Sequence, residues 1–91
     1  MRLDKFLKVA RLAKRRTEAK EALAAGRVFK AGRALKPGYE VKVGDVLEIH
    51  YLRKILTVRV SGVPERVVPK TAASELYEIV GERKEDAVEW L

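Results

Sequence analysis

The sequence predicts an α+β fold: an N-terminal αα-hairpin packed on a small, mainly antiparallel sheet, followed by a short C-terminal extension. Three observations carry that expectation. Apolar residues repeat with a helical period over the first two dozen positions, and the period falls toward two after Gly26. Gly26, Gly32, Gly38 and Gly44 then recur every six residues as turn punctuation. A chain of 91 residues has room for one domain with a single modest core.

The first helix is expected over Arg2 to Ala13, where Leu3, Phe6, Leu7, Ala10 and Ala13 share one face. Lys8, Arg11 and Arg15 fall on the opposite side, with Asp4 among them. Asp4 precedes Lys8 by four residues, the spacing of a weak surface ion pair. Ala13-Lys14-Arg15-Arg16 reads as a basic bend and Thr17 as the N-cap of a second helix, with Glu18 in its first turn. Lys20 stands where a capping box needs Glu or Gln. Ala19, Ala22 and Leu23 form a narrow stripe for close packing on the first helix, and Gly26 takes the left-handed position that ends the second.

Short strands are expected at Arg27 to Lys30 and Ala34 to Lys36, around a turn at Ala31-Gly32. Pro37-Gly38 is a break. Val41 and Val43 alternate, Gly44-Asp45 turns into a strand at Val46 to Ile49, and another strand at Leu56 to Val60 follows the basic link Arg53-Lys54. Pro64 to Pro69 reads as a loop, Lys70 to Ser74 as one helical turn and Leu76 to Val80 as a strand. Glu82 to Leu91 reads as an acidic tail helix with Ala87, Val88 and Leu91 on one side; with Trp90 it offers a protein-interaction module. Leu3, Phe6, Leu7, Leu23 and Val28 are the expected core, and Phe29 is also read as core.

Several function classes are disfavoured. The chain has no cysteine, so no disulfide framework or thiol nucleophile, and one histidine, His50, in an apolar strand. A lone strand histidine is usually structural. Ser61 and Ser74 have no nucleophile motif, and the carboxylates are not paired in apolar surroundings, so no enzyme activity is expected. No metal and no cofactor are expected either, since Gly-rich phosphate loops and ligand clusters are missing. Tyr39, Tyr51, Tyr77 and Trp90 form no stacking row. No apolar run is long enough to span a bilayer, so no membrane association and a cytoplasmic setting are expected.

The net charge of +7 is unevenly placed. Residues 1–36 carry 12 Lys/Arg against 3 Asp/Glu, whereas residues 37–91 carry 8 against 10. A basic half joined to a mildly acidic half points to a polyanion bound at one end. Cations at 2, 5, 8, 11, 14, 15, 16, 20, 27, 30 and 33 can line the helix pair and its bend, and arginine adds planar, bidentate phosphate recognition. Two helices with a basic bend also suggest a helix-turn-helix. The second helix is short and Ala-rich, however, and few of its side chains reach base edges, so DNA is the weaker reading.

These residues carry a family resemblance. Met1-Arg2-Leu3-Asp4-Lys5-Phe6-Leu7, Arg15-Arg16-Thr17-Glu18-Ala19-Lys20, Ala25-Gly26-Arg27-Val28 and Val43-Gly44-Asp45-Val46-Leu47 resemble the S4-type RNA-binding domain over residues 1 to about 50. The resemblance implies the S4-type (αL) RNA-binding fold, with a domain at 1–65 and an extension at 66–91 packed on it or trailing from it. It places the RNA-facing surface on Arg2, Lys5, Arg11, Lys14, Arg15, Arg16 and Lys20, with Lys30 and Arg33 beside it and Lys8 added by its place on the cationic face. Arg15 and Arg16 are expected to clamp phosphates while Arg2 reaches an adjacent strand. Charge reversal at Arg16 is expected to weaken binding without unfolding the domain. The chain departs from the family at Lys30-Ala31-Gly32, where a Val-Asn-Gly turn is common.

Among stand-alone members, the chain is similar to those of ribosome quality control. That likeness implies binding to rRNA of the large (50S) ribosomal subunit and to peptidyl-tRNA on obstructed subunits. It further implies help to an RqcH-like tailing elongation factor that adds C-terminal alanine to stalled nascent chains. The alternatives are the related heat-shock S4 type, which handles free large subunits carrying nascent chains, and a general structured-RNA-binding module. The heat-shock type usually has a longer basic C-terminal extension, whereas residues 75–91 here carry six acids and two bases. Nothing in the sequence demands a dimer, and a monomer is expected.

Overall fold

A computed structural model describes residues 1–65 and 69–84, the last strand included. The helices are α1 (Leu3–Val9) and α2 (Arg16–Ala24), and the strands are β1 (Val28–Lys30), β2 (Arg33–Ala34), β3 (Val46–His50), β4 (Lys54–Val60) and β5 (Tyr77–Lys84). A 3₁₀ helix, Lys70–Leu76, leads into β5. The strands form one antiparallel sheet in the order β2-β1-β3-β4-β5.

Helix α1 is shorter than its apolar face suggests. It ends at Val9 because Arg11 takes φ 62°, and the amides of Arg11 and Leu12 donate back to the carbonyls of Lys8 and Leu7. That bond pair is a Schellman closure, with arginine where glycine is usual. Helix α2 closes the same way at Gly26, φ 71°, whose amide donates to Leu23 while that of Arg27 donates to Ala22. At its other end α2 begins two residues earlier than expected. Arg15, in extended conformation, is the N-cap, and Thr17 lies inside the helix. No side chain caps this end; the anchorage of Arg16 described below fixes the first turn instead.

Leu3, Phe6, Leu7, Ala19, Leu23 and Val28 are all buried and join Leu47, Ile49, Leu56, Val58 and Val60 from the sheet in one cluster. Full burial of a side chain such as Phe6 contributes about 1.5–3 kcal/mol. Phe29 is not part of it. As β1's neighbour to Val28 it points to the other face of the pleat, half-buried, with its ring centroid 4.8 Å from that of His50. The His50 imidazole in turn has Nε2 2.7 Å from Oε1 of Glu48, a structural setting like the one expected for it.

The N-terminus is stitched to the segment before β3. Leu3 and Asp4 amides donate to the carbonyls of Tyr39 and Pro37, and Val41 donates to Met1. The Tyr39 carbonyl and the Val41 amide are used in these bonds, which make a single bridge, Arg2 to Glu40, and the Val41/Val43 alternation forms no strand. Val41 is buried and Val43 exposed, as alternation requires.

Strand β5 pairs with β4 from Tyr77 to Lys84, with a bulge opposite Thr57 and Val58. Glu82 to Lys84 are therefore strand, where the sequence suggested the start of a tail helix. The remainder of that expected helix, with Ala87, Val88, Trp90 and Leu91, lies outside the described residues. Among those described, no helix is long and apolar enough to cross a membrane.

Candidate nucleic-acid interface

The ten cations singled out in the sequence occupy three places. Arg2, Lys5 and Lys8 are on or at the start of α1; Arg11, Lys14 and Arg15 are in the bend, with Arg16 and Lys20 on α2; Lys30 and Arg33 flank the β1–β2 turn. All are exposed except Lys5 and Lys30, which are half-buried.

Asp4 brings the first two groups together. Its carboxylate is fully buried and makes no pair with Lys8. Arg16 Nε donates to Oδ2 at 3.2 Å, Arg2 Nε lies 3.5 Å from Oδ1, and the Lys5 amide donates to Oδ1 at 2.8 Å. Burial pushes the Asp4 carboxyl up, but the Arg16 hydrogen bond, the Lys5 amide and the two guanidinium charges outweigh it and hold it below the usual carboxylate value. Two arginines and one aspartate leave a net single positive charge, held at the junction of α1, α2 and the N-terminal segment. A helical step of about 100° puts Asp4 only about 60° from Leu7 on the helix, at the border of the apolar face. That was the signal in the sequence for a buried partner.

Lys30 is engaged elsewhere. Its ammonium donates to Asp45 Oδ1 at 2.8 Å and to Tyr39 Oη at 3.0 Å, while the Tyr39 hydroxyl and the Lys42 amide each donate to Asp45 Oδ2 at 2.9 Å. The hydrogen bond to Asp45 raises the lysine above its ordinary range. Burial pushes Asp45 up, and the bonds from Lys30, Lys42 and Tyr39 override it, so the net shift is down. The Gly44-Asp45 turn is thus a polar knot that ties β1 to the segment before β3, and Lys30 is its cation.

A third feature involves residues outside that set. The bend and the β3–β4 connection face each other across an open cleft of about 940 Å³. Arg11 and Lys14 line it from the bend, and Arg27, Arg53, Lys54 and Lys84 are the other cations among its lining residues. The sequence offered Arg27 as a cation and Arg53-Lys54 as a basic link, but nothing in the one-dimensional pattern placed them opposite the bend. Among the described residues, no group of three or more His, Asp or Glu side chains is placed to hold a metal ion.

Fold and charge together define a class: a pair of helices carrying exposed arginines, joined to each other through a buried aspartate and packed on an antiparallel sheet. Residues 1–47 match the S4 domain family model. A protein of Halalkalibacterium halodurans called RQC P-site tRNA stabilizing factor is 49% identical over 88 residues, covering 97% of this chain and 96% of its own. One of the same name from Listeria monocytogenes is 46% identical over 94% of this chain and 92% of its own. In three dimensions the chain is similar to heat shock protein 15 of Vibrio cholerae, solved as a trimer, with a TM-score of 0.81 and 26% identity over 88% of this chain and 81% of that one. The chain belongs to the S4-domain family and, within it, to the RQC P-site tRNA stabilizing factors.

Proposed function

We propose that this protein is a non-enzymatic, cytoplasmic RNA-binding factor of ribosome quality control. It binds rRNA and peptidyl-tRNA on obstructed large ribosomal subunits and so assists a tailing elongation factor that extends the stalled chain with alanine. The observation that carries the reading is the Arg2–Asp4–Arg16 cluster. Each arginine uses Nε toward Asp4, so its two Nη nitrogens are what it offers to phosphate, and the shared carboxylate fixes their spacing before RNA arrives. Holding the side chains in place lowers the entropy lost on binding. Arg11, Lys14, Arg15 and Lys20 extend the phosphate-binding surface, with Lys5 and Lys8 along α1 and Arg33 at the hairpin. Such contacts position a backbone and leave selectivity to the shape of the folded RNA. The name shared by relatives 42–49% identical supports the P-site tRNA as the RNA in question.

Co-sedimentation with large subunits, empty or holding peptidyl-tRNA, tests this across a salt series. Preferential binding to the occupied subunit, falling steeply with salt, is the expected result. Equal binding to both subunits would reduce the protein to a general structured-RNA binder. Binding to neither would remove the ribosomal reading.

A further inference from the structure

The cleft between the helix bend and the β3–β4 connection is a built feature. The Tyr51 hydroxyl donates to the Leu12 carbonyl at 2.6 Å, locking the connection to the bend. The Tyr51 amide donates to the Lys54 carbonyl at 2.8 Å, closing the turn, and the His50 amide donates to the Arg27 carbonyl, also at 2.8 Å. Lys54 Nζ sits 5.3 Å from the centroid of the Tyr51 ring. Burial pushes the Tyr51 hydroxyl up to about 12, so it stays a protonated donor at neutral pH.

Its chemistry has two parts. Six cations line it against one acid, Glu18. Between them the lining is apolar, from Ala22 and Ile49 to Leu52, which is 76% exposed at the tip of the connection. A leucine held in water beside two cations has no role in the core. A duplex backbone presents only phosphates and sugars, so it would meet the cations and leave the apolar lining unused. An unpaired nucleotide presents both a phosphate and the flat face of a base, and this is how single-stranded positions of RNA are usually read. A volume of about 940 Å³ is at the upper end of the range for a specific ligand site.

We propose that this cleft holds an unpaired nucleotide of RNA, with its flanking phosphates on Arg53 and Lys54 facing Arg11 and Lys14, and its base against Leu52 and the apolar lining. The inference rests on the RNA-binding reading above and adds to it a second, single-strand-selective site. It assigns a role to Leu52, Arg53 and Lys54, none of which the cluster at Asp4 uses.

The test is fluorescence anisotropy of the full chain with two probes, labelled decauridylate and a blunt RNA duplex of the same length. Arg53→Glu/Lys54→Glu should lower decauridylate affinity by about ten-fold or more and duplex affinity by about three-fold or less. Leu52→Ser, which changes no charge, should lower decauridylate affinity several-fold at an unchanged salt slope. Arg53→Glu alone, at an exposed position, keeps the test valid if the double variant unfolds. Decauridylate binding unchanged in these variants would overturn the site, as would equal losses on both probes or full displacement by polyglutamate. Wild type that binds duplex but not decauridylate removes this proposal alone. Wild type that binds no RNA removes the RNA-binding reading with it.

Discussion

Arg16 reaches across twelve residues of sequence to donate from Nε to the buried carboxylate of Asp4 at 3.2 Å. The arginine is 47% exposed and the aspartate is not exposed at all, so the pair joins a surface cation to an interior anion. Breaking such a pair from the arginine side leaves Asp4 Oδ2 without its donor and the carboxylate with only the Lys5 amide and the longer Arg2 contact on Oδ1. Arg16→Ala should therefore cost about 1–2 kcal/mol, reduced by the solvent that screens the arginine. Arg16→Glu should cost more, since it sets a second carboxylate against the first. Charge reversal at Arg16 should thus lower stability as well as binding, while leaving the domain folded. Urea unfolding beside RNA-binding titrations would check it; an unchanged midpoint for Arg16→Glu would show that the pair contributes nothing.

Asp4→Asn tests the spacing role from the other side of the pair. The amide keeps the shape and one acceptor but releases the charge that spaces Arg2 and Arg16. RNA affinity should fall although the protein gains a net positive charge, the opposite of a simple electrostatic expectation. A rise in affinity would mean that Asp4 merely neutralises the arginines.

Arg11 closes α1 in a left-handed conformation, φ 62°, that costs an L-residue about 1 kcal/mol. Glycine takes that conformation without strain, yet the chain carries an exposed arginine there. Strain retained where glycine would relieve it is a mark of a functional side chain. Arg11→Gly should raise stability, by up to about 1 kcal/mol, while lowering RNA affinity. Unfolding midpoints and anisotropy on one preparation would show whether the signs oppose. If both fall, Arg11 stabilises the bend and the strain has no functional meaning.

The β1–β2 turn carries a related mismatch. Lys30 and Arg33 pair directly, so Ala31 and Gly32 are the two central residues, with φ of 52° and 79°. Both values belong to a type I′ turn, which favours Asn-Gly. Ala31→Asn should stabilise the domain by about 0.5–1 kcal/mol and leave RNA binding unchanged, because the side chain replaced is a methyl group. A lower denaturation midpoint would contradict the turn assignment.

Much of this architecture was legible in the sequence because period, glycine and charge are local signals. Leu3, Phe6 and Leu7 marked the buried face of α1, Gly26 marked the end of α2, and the strand at Leu56 to Val60 lies within β4. What escaped was set by tertiary contact. The stop of α1 at Val9 depends on an arginine adopting a glycine conformation, which no propensity favours. Asp4 looked like half of a surface pair because Lys8 lies four residues on, while its true partner, Arg16, is reached only after the chain folds back. Lys30 counted as a surface cation because Asp45 and Tyr39, which hold it, are distant in sequence. Arg53 and Lys54 were visible as a pair, but their position across from the bend is a product of the sheet.

Asp4 and Asp45 make the fold acid-sensitive in a defined direction. Both carboxyls titrate below the ordinary value of 3.8 in the folded protein, so the unfolded chain takes up protons first as pH falls. Their stabilisation is complete above the ordinary carboxylate range and is lost as pH drops through the lowered folded values. Asp45→Asn removes the charge that Lys30 faces while keeping an acceptor for Lys42 or Tyr39. The variant should melt below wild type at neutral pH, and the gap should close as pH falls below about 4, where wild type also loses the charge. Melting temperatures by circular dichroism between neutral and strongly acidic pH would trace this convergence. A gap of constant size at every pH would mean that shape, not charge, accounts for what Asp45 contributes, and that the Lys30–Asp45 pair is only a hydrogen bond.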